Sequence, residues 1–256
     1  MFKKIILIVL ILAVVVGIGF SCYGIYKNRT TEVKNPVAKI TIKDMGTITL
    51  ELYPDQAPNT VANFIALANR GYYKDLKMHR IIKDFAAQGG DVNGDGTGSV
   101  KLKDLKEGGE DKEYCIPGEF LANGYRNTLK HVRGTISMAR LDYSSLGLNE
   151  EGYNSAGAQF YITLGDTTTL DGNYAGFGRV TDGWEVLDKL NEVELKPVAE
   201  DSTEQPSEPV NPPVIESVEV DTFGVEYSLP QTVEPFDYLN WLQSQQAMVS
   251  GGTTNN

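Results

Sequence analysis

The stretch Lys77–Asp91, KMHRIIKDFAAQGGD, constrains this chain most, because it gathers a cation, an aromatic ring, an amide and two glycines. Its pattern is that of a hairpin. Met78, Arg80 and Ile82 share one side of a strand by period-two alternation, and Phe85 to Gln88 return after a short Lys83-Asp84 connection. Arg80, Phe85 and Gln88 can then meet on one face. Phe85 and Gln88 differ in parity, so both reach that face only across a bulge or a bend. An arginine on an otherwise apolar strand either snorkels to water or serves a ligand, and this segment alone leaves both readings open.

A chain of 256 residues can hold one large or two small domains, and its low-complexity ends reduce that to one. The formal charge of −11 argues against a nucleic-acid partner, since phosphate binding needs clustered Lys and Arg. The charged run from Asp104 to Glu113 reads as a solvated loop. Of the two cysteines, Cys22 lies in an N-terminal apolar run and Cys115 reads as a small core residue, so no disulfide is expected.

Residues Ile5 to Tyr26 are almost all apolar and would span about 33 Å as a helix, enough for a bilayer core. Segment 1–27 is therefore read as a membrane anchor, too long in its apolar part for an ordinary cleaved signal. Gly19-Phe20-Ser21-Cys22 supports a second reading, a lipoprotein signal with Cys22 lipidated, although Gly19 stands where leucine is usual. Lys3 and Lys4 are balanced by Lys27 and Arg29, and the folded part is expected outside the cytoplasm.

After a polar stalk, 28–36, Val37–Lys43 and Thr47–Tyr53 alternate around Asp44-Met45-Gly46 as a first hairpin. Pro58-Asn59-Thr60 opens a helix presenting Val61, Phe64, Ile65 and Ala68, which stops near Gly71. Asp91 to Gly96, D-V-N-G-D-G, matches the first half of a calcium loop, but the twelfth position is Leu102 instead of glutamate and no helices bracket it. The same glycines precede no helix that could receive a phosphate. No metal or cofactor is expected.

The polar segment Leu141 to Tyr153 reads either as a loop that contacts substrate or as a tolerated surface loop. Residues 196–213, rich in Pro and Glu, read as an unfolded linker insertion. Val214 to Val220 then alternates as a last strand, and 228–256 reads as a flexible tail with a few aromatics.

Four blocks in order carry a resemblance. His79-Arg80-Ile81-Ile82-x-x-Phe85-x-x-Gln88-Gly89-Gly90-Asp91 resembles the cyclophilin signature F-H-R-[IV]-x-x-x-F-M-x-Q-G-G-D. Ile136 to Arg140 is similar to L-S-M-A-N, Ala158 to Ile162 to S-Q-F-F-I, and Leu170 to Val180 to L-D-G-x-H-x-x-F-G-x-V. The resemblance implies a mainly β domain over 37–227, a closed eight-stranded antiparallel barrel capped by two helices, the second from Trp184 to Leu190.

It also implies peptidyl-prolyl cis-trans isomerisation, with Arg80 as the catalytic cation. Phe85, Tyr161 and Leu170 would line the proline pocket, with Tyr174 as an aromatic wall. Gln88 and the backbone near Ala139 and Arg140 would anchor flanking amides, and Gln159 would orient Arg80. Partners would be proline-containing clients, bound by a monomer at a bacterial cell membrane, single-pass or lipid-anchored. The alternative is a proline-peptide binding module with little turnover. Three positions depart from the family pattern: Ala86 for methionine, Thr169 for tryptophan and Tyr174 for histidine. Hydrolytic chemistry finds little support, with only His79 and His131 and neither G-x-S-x-G nor H-E-x-x-H.

Overall fold

The computed structural model describes residues 34–199 and 202–251. The apolar segment Ile5–Tyr26, and with it both the membrane anchor and the lipid attachment at Cys22, lies outside the described residues. Among the described residues no helix is long and apolar enough to cross a membrane.

Strands β1 (Val37–Ile42) and β2 (Gly46–Leu52) form the first hairpin, with Ile42 opposite Gly46. Alternation sends Ala38, Ile40, Ile42, Ile48, Leu50 and Leu52 into the core. Asp44 and Gly46 take positive φ, 61° and 122°, to make the turn. Helix α1 (Pro58–Asn69) begins with proline at its first turn, where the missing N–H costs nothing. Its cap comes from far along the chain. The buried Glu119 carboxylate accepts the N–H groups of Asn59 (3.0 Å) and Thr60 (2.8 Å) and the Thr60 hydroxyl (2.7 Å). At the other end Gly71, at φ 68°, closes a Schellman motif, with Tyr72 N–H on Leu67 O and Gly71 N–H on Ala68 O.

The remaining elements are β3 (Arg80–Ile82), β4 (Ala86–Gly89), α2 (Leu102–Leu105), β5 (Thr135–Met138), α3 (Asn149–Tyr153), β6 (Phe160–Thr163), β7 (Gly176–Asp182), α4 (Trp184–Asn191), β8 (Ile215–Asp221) and α5 (Tyr238–Gly251). One antiparallel eight-stranded sheet runs β3-β4-β6-β5-β7-β2-β1-β8 and curls into a half-barrel. Helices α1 and α4 bury apolar faces against it. Phe64 of α1 sits at the centre, its ring 5.2 to 5.8 Å from those of Tyr73, Phe177 and Phe160.

The full closure expected of the barrel is not made by a ladder between β3 and β8, which end the sheet. The seam is stitched before β3 instead. Asp75 N–H donates to Ile215 O, Ile215 N–H to Leu76 O and Met78 N–H to Pro213 O, all at 2.8 Å. Two segments expected to be loose are also docked. In the 196–213 insertion, Lys196 N–H donates to Glu208 O (2.7 Å), Val210 N–H to Glu194 O (2.9 Å), and Ser207 O accepts Ile81 N–H from β3 (2.8 Å). Prolines lack an N–H but keep an accepting carbonyl, so a proline-rich strap can still cover a strand edge.

The tail is anchored as well. Cys115 and Val233 exchange two main-chain bonds (2.9 and 2.8 Å), and Asn59 pairs its side-chain amide with the backbone of Gln231. Of the tail expected to be flexible over 228–256, Gln231 and Val233 are thus held against the domain, by the Asn59 side chain and the main chain of Cys115.

Candidate active site

The β3–β4 ladder places Arg80 directly opposite Gln88. Gln88 in turn faces Tyr161 of β6, and Tyr161 faces Ser137 of β5. Phe85 belongs to neither strand. It ends the turn in which Ile82 O accepts Phe85 N–H (3.1 Å), with Asp84 at φ 56°. The parity conflict between Phe85 and Gln88 is therefore resolved by a turn that ends before the ladder starts, without a bulge.

These residues surround a cavity of about 310 Å³. Arg80, Phe85, Gln88, Ala139, Arg140, Tyr161, Leu170 and Tyr174 line it, and Ala86 completes the wall where the family motif has methionine. Arg80 is exposed, and its guanidinium has no hydrogen bond or ion pair among the described residues. A charge without an internal partner, set on an aromatic wall, is free to bind something from outside.

The cavity floor is propped from below. Asp171 Oδ1 accepts His131 N–H (2.8 Å) and faces His131 Nδ1 (3.2 Å), while His131 Nε2 lies 3.2 Å from Ser137 Oγ. The carboxylate keeps the proton on Nδ1, leaving Nε2 to accept from the serine. The His131 ring stacks on Tyr161 at 6.2 Å, and Tyr161 meets Tyr174 edge-on at 5.9 Å. Burial pushes the His131 pKa down against the pull of Asp171. Burial likewise pushes the Tyr161 pKa well up. Asp171, His131 and Ser137 have the hydrogen-bond order of a hydrolase triad, but Ser137 is fully buried, so its hydroxyl cannot reach a substrate.

Residues 37–220 match the family model described as cyclophilin type peptidyl-prolyl cis-trans isomerase/CLD. The chain belongs to the cyclophilin family. It is 40% identical over 160 residues to the peptidyl-prolyl cis-trans isomerase cypE of Dictyostelium discoideum, covering 61% of this chain and 87% of that one. It is 41% identical over 150 residues to peptidyl-prolyl cis-trans isomerase-like 1 of Neurospora crassa, covering 58% and 77%. A crystal structure of a Cryptosporidium parvum cyclophilin, obtained in the presence of the dipeptide Ala-Pro, superposes with a TM-score of 0.57 at 27% identity, over 72% of this chain and 98% of that one. The protein is a cyclophilin-type peptidyl-prolyl cis-trans isomerase.

In this cyclophilin two expected placements are corrected. Met78 does not share the face of Arg80: it is buried, because the ladder begins only at Arg80 and Met78 is turned to bond Pro213. Gln159 does not hold Arg80. Its oxygen accepts Gln88 Nε2 (2.9 Å) and its own Nε2 donates to Gly96 O (3.1 Å) and Gly98 O (3.4 Å), so it fixes Gln88 against the glycine loop. Asp91 Oδ2 accepts Asp95 N–H (2.9 Å) and Gly96 N–H (2.7 Å), and Asp95 Oδ1 accepts the Thr97 N–H and hydroxyl. Among the described residues no cluster of His, Cys, Asp and Glu side chains could hold a metal ion.

A second cavity, about 330 Å³, adjoins the first through Gln88, Ala139 and Arg140. Its walls are the loop 96–100, Leu141 and, from the tail, Pro235 and Phe236. Tyr143 of the 141–153 insertion packs against Phe236 (5.8 Å) and stacks on Tyr238 (5.7 Å), which stacks on Trp241 (5.8 Å). The two segments with no role legible from sequence thus meet at this cyclophilin's groove. The His131–Asp171 prop was also missed, since residues forty apart give no local signal.

Proposed function

We propose that this isomerase works through Arg80, and that its clients are exported proteins. Rotation about an X-Pro amide faces about 18–20 kcal/mol because resonance stiffens the C–N bond. No bond has to break. The catalyst must favour the twisted state, in which the prolyl nitrogen becomes pyramidal and regains a lone pair. A guanidinium aimed at that nitrogen bonds the twisted form far better than the planar one, which is differential stabilisation of the transition state. Lysine lacks the planar fork and is more strongly hydrated.

The observation that carries this reading is the unpaired, exposed Arg80 on the wall of the Phe85–Tyr161–Leu170 cavity. That cavity suits a prolyl ring, in keeping with the Ala-Pro dipeptide used with the Cryptosporidium relative. Gln88, steadied by Gln159, and the backbone at Ala139 and Arg140 hold the flanking amides, and Tyr174 closes the aromatic side. A gain of about 10⁵-fold needs about 7 kcal/mol, within reach of one charge-assisted hydrogen bond plus immobilised substrate. Exchange spectroscopy on a proline tetrapeptide tests it: the soluble 35–227 fragment turns over, and Arg80→Ala is at least about tenfold slower. Equal rates would leave a proline-peptide binding module.

The protein acts as a monomer, tethered to a bacterial membrane by Ile5–Tyr26 with the isomerase domain outside the cytoplasm. Protease added to intact cells should remove the domain, and protection would reverse the orientation. Mass spectrometry of the mature N-terminus separates a retained helix from a lipid on Cys22. Thr169, exposed where the family motif has tryptophan, lacks the ring N–H that the family uses for cyclosporin, so the drug should bind weakly in a titration.

A further inference from the structure

The first cavity is lined by two cations, Arg80 and Arg140, and by no carboxylate, in a chain whose net charge is −11. Neither arginine is ion-paired among the described residues. Unlike Arg80, the Arg140 guanidinium is held in place. Its central carbon lies 4.5 Å from the Tyr174 ring centre, 5.1 Å from Tyr153 and 5.5 Å from Phe120. Nε donates to Asn173 O (3.0 Å) and Nη1 to Leu141 O (2.9 Å).

A guanidinium carries five N–H donors. Two are used in these bonds, and those of Nη2 have no partner among the described residues. The side chain is half-buried and stands where the two cavities join. The rings strip water from its faces and the two carbonyls fix its plane, so its remaining edge is a pre-aimed fork. Such a fork matches a carboxylate in two hydrogen bonds, at little further entropic cost. Glu113 lines the second cavity, so the groove as a whole is not cationic.

We propose that Arg140 is a specificity-determining residue that selects clients with a carboxylate side chain next to the isomerised proline. This rests on the isomerase reading of the first cavity. The test is exchange spectroscopy on two peptide series, with Glu, Gln or Lys placed just before the proline in one and just after it in the other. In one series Glu should turn over at least about threefold faster than Gln, with Lys slowest, and the advantage should shrink in about 0.5 M NaCl. Arg140→Gln should bring the Glu-to-Gln ratio to about one, and Arg140→Lys should keep part of it. A ratio near one in the wild type for both series, or an unchanged ratio in Arg140→Gln, overturns the proposal. Absence of turnover on every peptide would strike at the isomerase reading instead. The same Glu-to-Gln comparison is then made on dissociation constants from amide-shift titrations, and decides the role of Arg140 by itself.

Discussion

The two cavities share Gln88, Ala139 and Arg140 yet are built in opposite ways. The first stands on paired strands. Arg80, Gln88, Tyr161 and Ser137 occupy successive ladder positions, and Phe160, alternating with Tyr161, is packed into the core beneath. The second is walled by the glycine loop, the 141–153 insertion and the tail, the tail being joined through an isolated bridge, an amide pair, the exposed Lys112–Glu234 ion pair and a half-buried aromatic cluster. A ladder position moves only if many main-chain bonds break together, whereas a docked strap can shift or be exchanged without unfolding the barrel. The centre proposed to act on proline therefore sits on the ladder, and the second cavity beside it on docked segments.

Perturbing each side in turn sharpens this contrast. Phe160→Ala removes a ring in contact with Phe64 and Tyr73 and should cost about 3–5 kcal/mol in urea unfolding. It should disorganise the first cavity along with the core, and a small loss would mean the cavity is less tied to the core than its register implies. Arg80→Ala comes next: its tenfold or greater rate loss corresponds to at least about 1.4 kcal/mol of barrier. Because Arg80 is exposed and unpaired, the unfolding midpoint should not move. Removing residues 230–256 should cost about 1–2 kcal/mol of stability, and should change the ranking of peptides with different flanking residues more than turnover of a short Ala-Pro substrate. Equal loss on all peptides would mean that the tail supports the first cavity.

The smallest effect expected is that of pH. Burial lowers the pKa of His131 and also that of His79, whose ring nitrogens have no well-formed hydrogen bond among the described residues. Both are held neutral in the fold, so below about pH 6.5 the unfolded chain takes up protons that the folded one refuses. Stability is full above that value and falls as the pH drops toward the lower folded pKa values. Asp171, held below its usual range despite burial by its bonds from His131 and Lys130, adds a loss only further down, through the carboxylate range. Urea midpoints at about pH 7.5 and 5.5 should show the drop, and His131→Asn should remove part of it.

Much of the first cavity was legible through the cyclophilin resemblance, whose motif blocks lie on adjacent strands. Alternation located β1, β2 and β8, and the Val61–Phe64–Ile65–Ala68 stripe located α1. The misses have physical causes. The resemblance pairs Gln159 with Arg80, but a side-chain amide goes to whichever partner the backbone brings within reach, here Gln88 and the loop carbonyls. The 196–213 strap and the tail look unfoldable by composition, since they bury little of their own surface; Ser207, Val210, Pro213 and Val233 are nonetheless held, because the domain offers them main-chain partners. Nothing local marks Glu119 as the cap of α1, sixty residues away.

By itself the sequence determined the alternating strands, the helix stripes, the family and the side chains brought to one cleft, because these follow from periodicity and from short motifs whose parts lie close along the chain. Only the tertiary structure decided that the tail and the insertion meet beside that cleft, that Arg140 is caged by three rings, and that His131 props Tyr161. Each of these contacts joins residues separated by long stretches of chain, and the energy that selects them comes from burying groups that have no partner until the barrel has formed.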